Sequence, residues 1–307
     1  MSSPSTSPPC RFLVLFDFDE TIIHESSDDA MVRIAPGPAP PNWLREGFRP
    51  GCYHAHMCQV LAYLGEHGVR EDGIRAAIEG IAPTPGMPVL FAFLRERPQD
   101  FECAVISDAN AYFIDTWLRR AGVRQLFAEV LTNPASFSAN GHLLLRPFHA
   151  HACPRCPKNM CKQTILRDYL ARRTHERGVS FQRVFYVGDG DNDICPTLAL
   201  GHRDTACPRR GFPMHHILQE MQASQPGACQ ATVLPWANGE DVVDCLQKAV
   251  GESVAPASIS SILSAPCCTS LVPSVQLAPC PVLYQSGAQR AVSPMPSAVP
   301  VWCPACS

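Results

Sequence analysis

Three short apolar runs, each ending in carboxylates, limit the folds open to this chain. "FLVLF" (Phe12–Phe16) leads into Asp17 and Asp19. "CAVIS" (Cys103–Ser107) leads into Asp108, and "RVFYV" (Arg183–Val187) leads into "GDGDND", with Asp189, Asp191 and Asp193. An apolar run bounded by a polar turn is the pattern of a strand buried on both faces. Between these runs apolar residues recur at helical spacing. Strands alternating with helices predict an α/β fold: a Rossmann-like parallel sheet with helices on both faces. Ligands of such sheets sit at the carboxyl ends of the strands. The acidic loops and the Ser107 hydroxyl are therefore expected in one crevice. Like charges held that close repel, so a cation must offset them. Oxygen ligands, few histidines and no paired cysteines in these loops point to Mg²⁺.

The rest of the chain divides by pattern. Residues 1–10 are Ser/Pro-rich and read as a disordered lead. The core is expected over 11–26 and 85–250, interrupted by a small helical cap at 27–84. In the cap, Asp28 and Asp29 can cap a helix holding Met31 and Val32. A proline-rich break, "PGPAPP", follows, and then Met57, Val60, Leu61 and Leu64, and Ile74, Ala77, Ile78 and Ile81, each trace a helix face. Within the core, one helix is predicted to open at Thr84–Met87, with Val89, Leu90 and Phe93 apolar, and a separate one to hold Phe113, Trp117, Leu118 and Ala121 and stop at Gly122; further helices are predicted over Lys162–Arg177, Pro196–Leu200, Met214–Met221 and Glu240–Val250. Glu129–Thr132 is expected as a third strand, and Gly141–Phe148 as one arm of a hairpin. From residue 251 to 307 the chain is rich in Ser, Pro, Ala and Cys and nearly uncharged, which predicts a disordered or atypical tail.

Composition excludes some functions. A formal net charge of −3 over 307 residues leaves no basic footprint for nucleic acid. No apolar stretch reaches the roughly 20 residues of a membrane span. The lead has no charged n-region and does not read as a signal peptide. The 16 cysteines are then read as mostly reduced thiols in a cytoplasmic protein. Export in vesicles, which needs no signal peptide, is compatible with the same sequence.

A lone acidic pair at a strand end is a weak signal; the ordered set is specific. Strand–DFDET, strand–SDA, a helix-borne lysine and strand–GDGDND together resemble the haloacid dehalogenase-like phosphatases from Phe12 to about Val250. "LFDFDETI", "SSDD", "VISDAN", "RPFH", "CPRCPKNMCK", "FYVGDGDND" and "CPRRGFPMH" resemble, more closely, the phosphoethanolamine/phosphocholine phosphatases. The resemblance implies a Mg²⁺-dependent hydrolase of small phosphorylated amino alcohols. It implies that Asp17 attacks phosphorus and forms an aspartyl-phosphate. Asp19 then protonates the leaving alcohol and later deprotonates the water. Asp17, the backbone carbonyl of Asp19, and Asp189 hold the metal. Ser107 hydrogen-bonds a phosphoryl oxygen, Lys162 neutralises charge, and Asp28 and Asp108 match the acids that contact substrate. The helical insertion looks like the cap that closes over such sites.

Several readings stay open at the level of sequence. Lys158 rivals Lys162, although Lys162 begins the helix with the apolar stripe. Asp28 could serve as a helix N-cap. Asp191 stands where the related pattern has a small or neutral residue, which puts rate in doubt. Trp43, Phe48 and Tyr53 are candidate aromatic walls, with core packing as the plainer role. His149, His151, Cys153, Cys156 and Cys161 have a spacing that suits either structural zinc or a thiol-rich loop. Rival functions are a pyridoxal-phosphate phosphatase of the same fold, a non-catalytic binding protein, and a zinc-stabilised interaction module.

Overall fold

Phe12–Phe16 is buried at every position, and the alternation of its side chains decides the architecture around it. Phe12, Val14 and Phe16 pack on one side with Leu90, Phe113, Trp117 and Leu246. Leu13 and Leu15 pack on the other with Ile165, Leu166, Tyr169 and Leu218. A strand apolar on both faces needs helices on both faces, and the chain supplies them. The structure, a computed structural model, describes residues 12–37, 41–46 and 52–254. Most of the expected lead and tail therefore lies outside the described residues.

The elements follow in chain order: β1 (Phe12–Phe16), α1 (Ser27–Arg33), α2 (Trp43–Glu46), α3 (Tyr53–Glu66), α4 (Glu71–Glu79), α5 (Met87–Arg95), β2 (Phe101–Asn110), α6 (Ala111–Arg120) and β3 (Phe127–Asn133). Then come β4 (Ala135–Phe137), β5 (Leu143–Leu145), α7 (Lys162–Arg177), β6 (Arg183–Gly188), α8 (Ile194–Thr197), β7 (Thr205–Pro208), α9 (Pro213–Ser224), β8 (Thr232–Val233) and α10 (Gly239–Val254). Six strands form one sheet in the order β3-β2-β1-β6-β7-β8, every neighbouring pair parallel. The chain leaves β1 toward β2 and β3, then returns to the other side for β6, β7 and β8. That reversal puts the carboxyl ends of β2, β1 and β6 side by side, where α/β sheets bind ligands.

The fold is the α/β arrangement expected, with differences of detail. The hairpin arm Leu143–Leu145 pairs with Ala135–Phe137. β7 and β8 have four and two residues, too short to show a period, and had not been expected. α10 continues to Val254, past the boundary expected at residue 250. Between β1 and α5 the chain forms the helices α1 to α4. Gly86, at φ +77°, caps α5 where its backbone meets the start of α10. Gly239 donates to the Pro85 carbonyl at 2.8 Å, and a Cβ on Gly86 would lie 2.6 Å from the Gly239 nitrogen. Only glycine meets both conditions. Among the described residues no helix is long and apolar enough to cross a membrane.

Candidate active site

The carboxyl ends of β1, β2 and β6 open into a cleft of about 740 Å³. Asp17, Asp19, Asp28, Asp108, Asp189 and Asp191 all line it. The loops expected to share a crevice do share one.

At its floor, Asp17 is held from two sides. The Phe18 N–H donates to Oδ1 at 2.6 Å, and the Lys162 ammonium to Oδ2 at 2.6 Å. Lys162 is the first residue of α7 and is 1% exposed. Its ammonium also reaches Asp193 at 2.8 Å and Asn192 at 3.3 Å. Burial alone would lower this lysine's pKa; Asp17 and Asp193 outweigh it and hold the ammonium above its usual value. Lys158, the rival, lies in the loop lining the cleft instead.

Asp189 accepts from the Thr21 hydroxyl at 2.7 Å, and its carbonyl accepts from Met214 N–H at 2.8 Å. Asp193 folds back under the loop. Tyr186 donates to it at 2.7 Å, and the Asp189 and Gly190 N–H groups at 3.0 and 3.1 Å. A side chain on Gly188 would collide with that carboxylate, so glycine is required where β6 ends.

One oxygen each from Asp17, Asp189 and Asp193 lie within 4.8 Å of one another, all three residues buried. Burial pushes the Asp17 and Asp189 carboxyls well above the usual range; Asp193 adds to this at both, Asp108 at Asp17, and Asp17 at Asp189. Lys162 opposes this at Asp17. One lysine cannot neutralise three carboxylates. An all-oxygen set with a surplus of negative charge fits a hard divalent cation such as Mg²⁺.

Asp19 sits above this floor and accepts from the Ser27 N–H at 2.7 Å. Burial drives its carboxyl up to about 7, against the Ser27 hydrogen bond. A group poised there can give and take a proton near neutrality. The Asp28 carboxyl is also held well above the usual carboxylate range, by burial and then by Asp19, Asp108 and Asp29. It does not cap α1: Ser26 does, accepting from the Asp28 N–H at 3.2 Å, so the Asp28 carboxylate is left to the cleft. Asp108 is fixed through its carbonyl, which accepts from Asn133 at 2.7 Å.

Ser107, whose hydroxyl was expected in the crevice, is fully buried and is not among the residues that line it, although the next residue, Asp108, is. It accepts from the Ala109 N–H at 3.3 Å, and its own hydroxyl proton meets no acceptor among the described residues. Tyr53 lines the cleft, joined by His54 and His56 from the same helix. Trp43 packs edge-on against His56 and Tyr63, and Phe48 lies outside the described residues. Asp191 is exposed at the cleft.

Sequence reasoning gave no role to Thr21, Asn133, Asp193 or Arg209. Arg209 hydrogen-bonds the Glu20 carbonyl, lies 3.0 Å from His24 Nδ1, and stacks on Phe212. Glu20, at φ +52°, is in the left-handed region, and Arg209 clamps this turn directly after Asp19. The signals were present in "DFDET", "GDGDND" and "CPRRGFPMH", but nothing in them says which partner each side chain will find. Asn133 follows the same rule as the acids, standing at the carboxyl end of its strand.

The family model described as Putative Phosphatase matches residues 12–250. A phosphoethanolamine/phosphocholine phosphatase of Homo sapiens is 50% identical over 232 residues, covering 76% of this chain and 86% of that one. The chain belongs to this family of haloacid dehalogenase-like phosphatases. It is therefore a phosphatase, not a binding module that has kept the fold. Another relative, the pyridoxal phosphate phosphatase PHOSPHO2 of Homo sapiens, is 40% identical over 238 residues, covering 77% of this chain and 98% of that one. In fold, the chain matches a solved phospho-aspartyl intermediate analogue of phosphoserine phosphatase with a TM-score of 0.51 at 18% identity, covering 78% of this chain and 99% of that one.

Proposed function

We propose that this phosphatase hydrolyses phosphoethanolamine and phosphocholine through an aspartyl-phosphate on Asp17. The observation that carries the reading is the pairing of two environments in one cleft. Its floor holds a carboxylate nucleophile against a buried lysine. Its wall carries Asp28 and Asp108, acids that would repel a phosphate but attract a cationic head group.

Asp17 Oδ1 is fixed by the Phe18 N–H and Oδ2 by Lys162, so one oxygen is held for attack on phosphorus. As the new P–O bond forms, the ester P–O bond breaks and the alkoxide takes the Asp19 proton. Asp19, now ionised, takes a proton from water. That water attacks the aspartyl-phosphate, inorganic phosphate leaves, and Asp17 is restored. Lys162 favours the ionised form of Asp17 against its burial and offsets charge on the phosphoryl oxygens. The Ser107 hydroxyl offers a donor to one of them. Asp17, Asp189 and the carbonyl of Asp19 are the residues that would hold Mg²⁺, with Asp193 holding Lys162 and the loop beside them. The ion, when bound, supplies positive charge for the buried carboxylates and the transferring phosphoryl group.

Pyridoxal phosphate is the rival substrate, in keeping with the PHOSPHO2 relative. Its ring aldehyde gains little from Asp28 and Asp108. A comparison of kcat/KM for phosphoethanolamine, phosphocholine and pyridoxal phosphate, with and without Mg²⁺, separates the two. The amino-alcohol esters should lead, and only with the metal. A preference for pyridoxal phosphate would overturn the head-group assignment.

A further inference from the structure

The loop between β5 and α7, residues 146–161, contains no helix or strand, yet it forms one wall of the cleft through Pro154, Arg155, Pro157 and Lys158. An irregular loop that long inside a compact domain needs something to fix it. Part of the answer is two histidines acting on the backbone. His149 Nε2 accepts from the Cys161 N–H at 3.1 Å. His151 accepts from the Cys153 N–H at 3.1 Å on Nδ1 and lies 2.8 Å from the Pro157 carbonyl through Nε2. His151 uses both ring nitrogens in bending the loop and His149 uses Nε2, and neither histidine belongs to the sulfur cluster that the bend creates.

The bend brings three sulfurs together, and a fourth meets them from elsewhere. Cys153, Cys156 and Cys161 converge on Cys195, at the start of α8, with all four Sγ atoms within 4.8 Å of one another. Cys153 and Cys195, 42 positions apart in sequence, have their sulfurs 3.6 Å apart. Zinc held by four thiolates at about 2.3 Å places its sulfurs about 3.8 Å from each other. A disulfide would need two sulfurs at about 2.05 Å and would give no reason for a third and fourth to join them. Nor is this a set of core thiols serving as small apolar groups. Cys153 and Cys156 are partly exposed, and Cys156 lines the cleft.

We propose that Cys153, Cys156, Cys161 and Cys195 bind one structural zinc ion, distinct from the carboxylate site. Four thiolates in tetrahedral array leave no open position, so the ion is not catalytic. Its place in the chain gives it a positioning role. Cys161 directly precedes Lys162, and Cys195 lies two residues beyond Asp193. The ion would tie together the two segments whose side chains meet in the Lys162–Asp193 ion pair. Gln163, donating to the Cys195 carbonyl at 3.0 Å, spans the same junction.

The test is elemental analysis of the full chain, purified without chelator and dialysed against excess Mg²⁺. About one zinc per chain is expected. The double variant Cys153→Ser/Cys195→Ser should hold less than about a tenth of that, whereas Cys229→Ser, outside the cluster, should hold as much as wild type. Exchange of Co²⁺ into the wild-type chain keeps the test decisive if the double variant does not fold. Thiolate-to-cobalt charge-transfer absorption and intense tetrahedral d–d bands are expected. A chain free of zinc, iron in its place, a disulfide among these four cysteines, or cobalt spectra without thiolate bands would each overturn the proposal.

Discussion

At the scale of single residues, the site is an excess of buried negative charge held around one lysine. Asp17, Asp189 and Asp193 crowd together with Lys162 as the cation in contact. Asp17→Asn should therefore abolish turnover while leaving the Mg²⁺-free melting temperature at or above that of wild type, because it removes one of the repelling carboxylates. A lower melting temperature would show that Asp17 serves the fold. In the proposed mechanism the pH dependence rests on Asp19. With its carboxyl near 7, it is mostly protonated below that pH and mostly ionised above it. Alcohol release from phosphocholine should slow as pH rises through about 7, since the proton donor is lost, whereas release of p-nitrophenolate, which needs no proton, should not. Rapid-quench rates across that range check both. For Asp28→Asn and Asp108→Asn, a lost contact to a charged group of about 1–3 kcal/mol corresponds to roughly five- to a hundredfold in kcat/KM. The loss should fall on the amino-alcohol esters and spare p-nitrophenyl phosphate. Asp108 should cost more, because Asn133 fixes its backbone. Equal losses on both kinds of ester would leave these acids with a structural role only. The acids were legible in sequence because a strand end in a parallel sheet has a known address. Their partners were not, because Thr21, Asn133 and Arg209 act through contacts made only once distant segments meet.

At the scale of elements, short strands and turn chemistry divide what was legible from what was not. β1, β2, β3 and β6 were read from their apolar runs, and α7 from an apolar stripe on a charged helix. β7 and β8 carry too few residues for any period to show, and they take their form from neighbours in the sheet. Ser26 capping α1 in place of Asp28 is a similar case: three adjacent residue types all make good caps, and packing chose among them. The turn after β6 offers the sharpest test at this scale. Gly188→Ala places a methyl against the Asp193 carboxylate, which cannot retreat without leaving Lys162, Tyr186 and two backbone N–H groups. Overpacking of this kind costs about 1–3 kcal/mol, with activity falling alongside. Gly190→Ala meets chiefly the flexible tip of Asn192 and should keep its melting temperature. Thermal unfolding of the two variants side by side decides this; equal behaviour would mean that the Asp193 turn is softer than its hydrogen bonds imply.

At the scale of the whole molecule, one reversal of strand order builds the site. β1 is flanked by β2 and β6, so loops separated by most of the chain meet over its end. The helices α1 to α4 are inserted after β1 and contribute Asp28, Tyr53, His54 and Met57 to the cleft. We infer that they act as the cap that selects the substrate, while the sheet holds the nucleophile. Family and fold class could both be read from ordered motifs spread over the chain. The four-cysteine cluster could be read only in part, since Cys195 stands far from the other three and gives no spacing signal. In the proposed mechanism Asp17 carries the phosphoryl group between ester and water. The most direct measurement is acid quenching of the enzyme during turnover of phosphoethanolamine with Mg²⁺, followed by peptide mass spectrometry. One acid-stable, base-labile phosphoryl group is expected on Asp17, absent from Asp17→Asn. Turnover with the phosphoryl group on another residue, or with none trapped under conditions where water attack limits the rate, would contradict that mechanism.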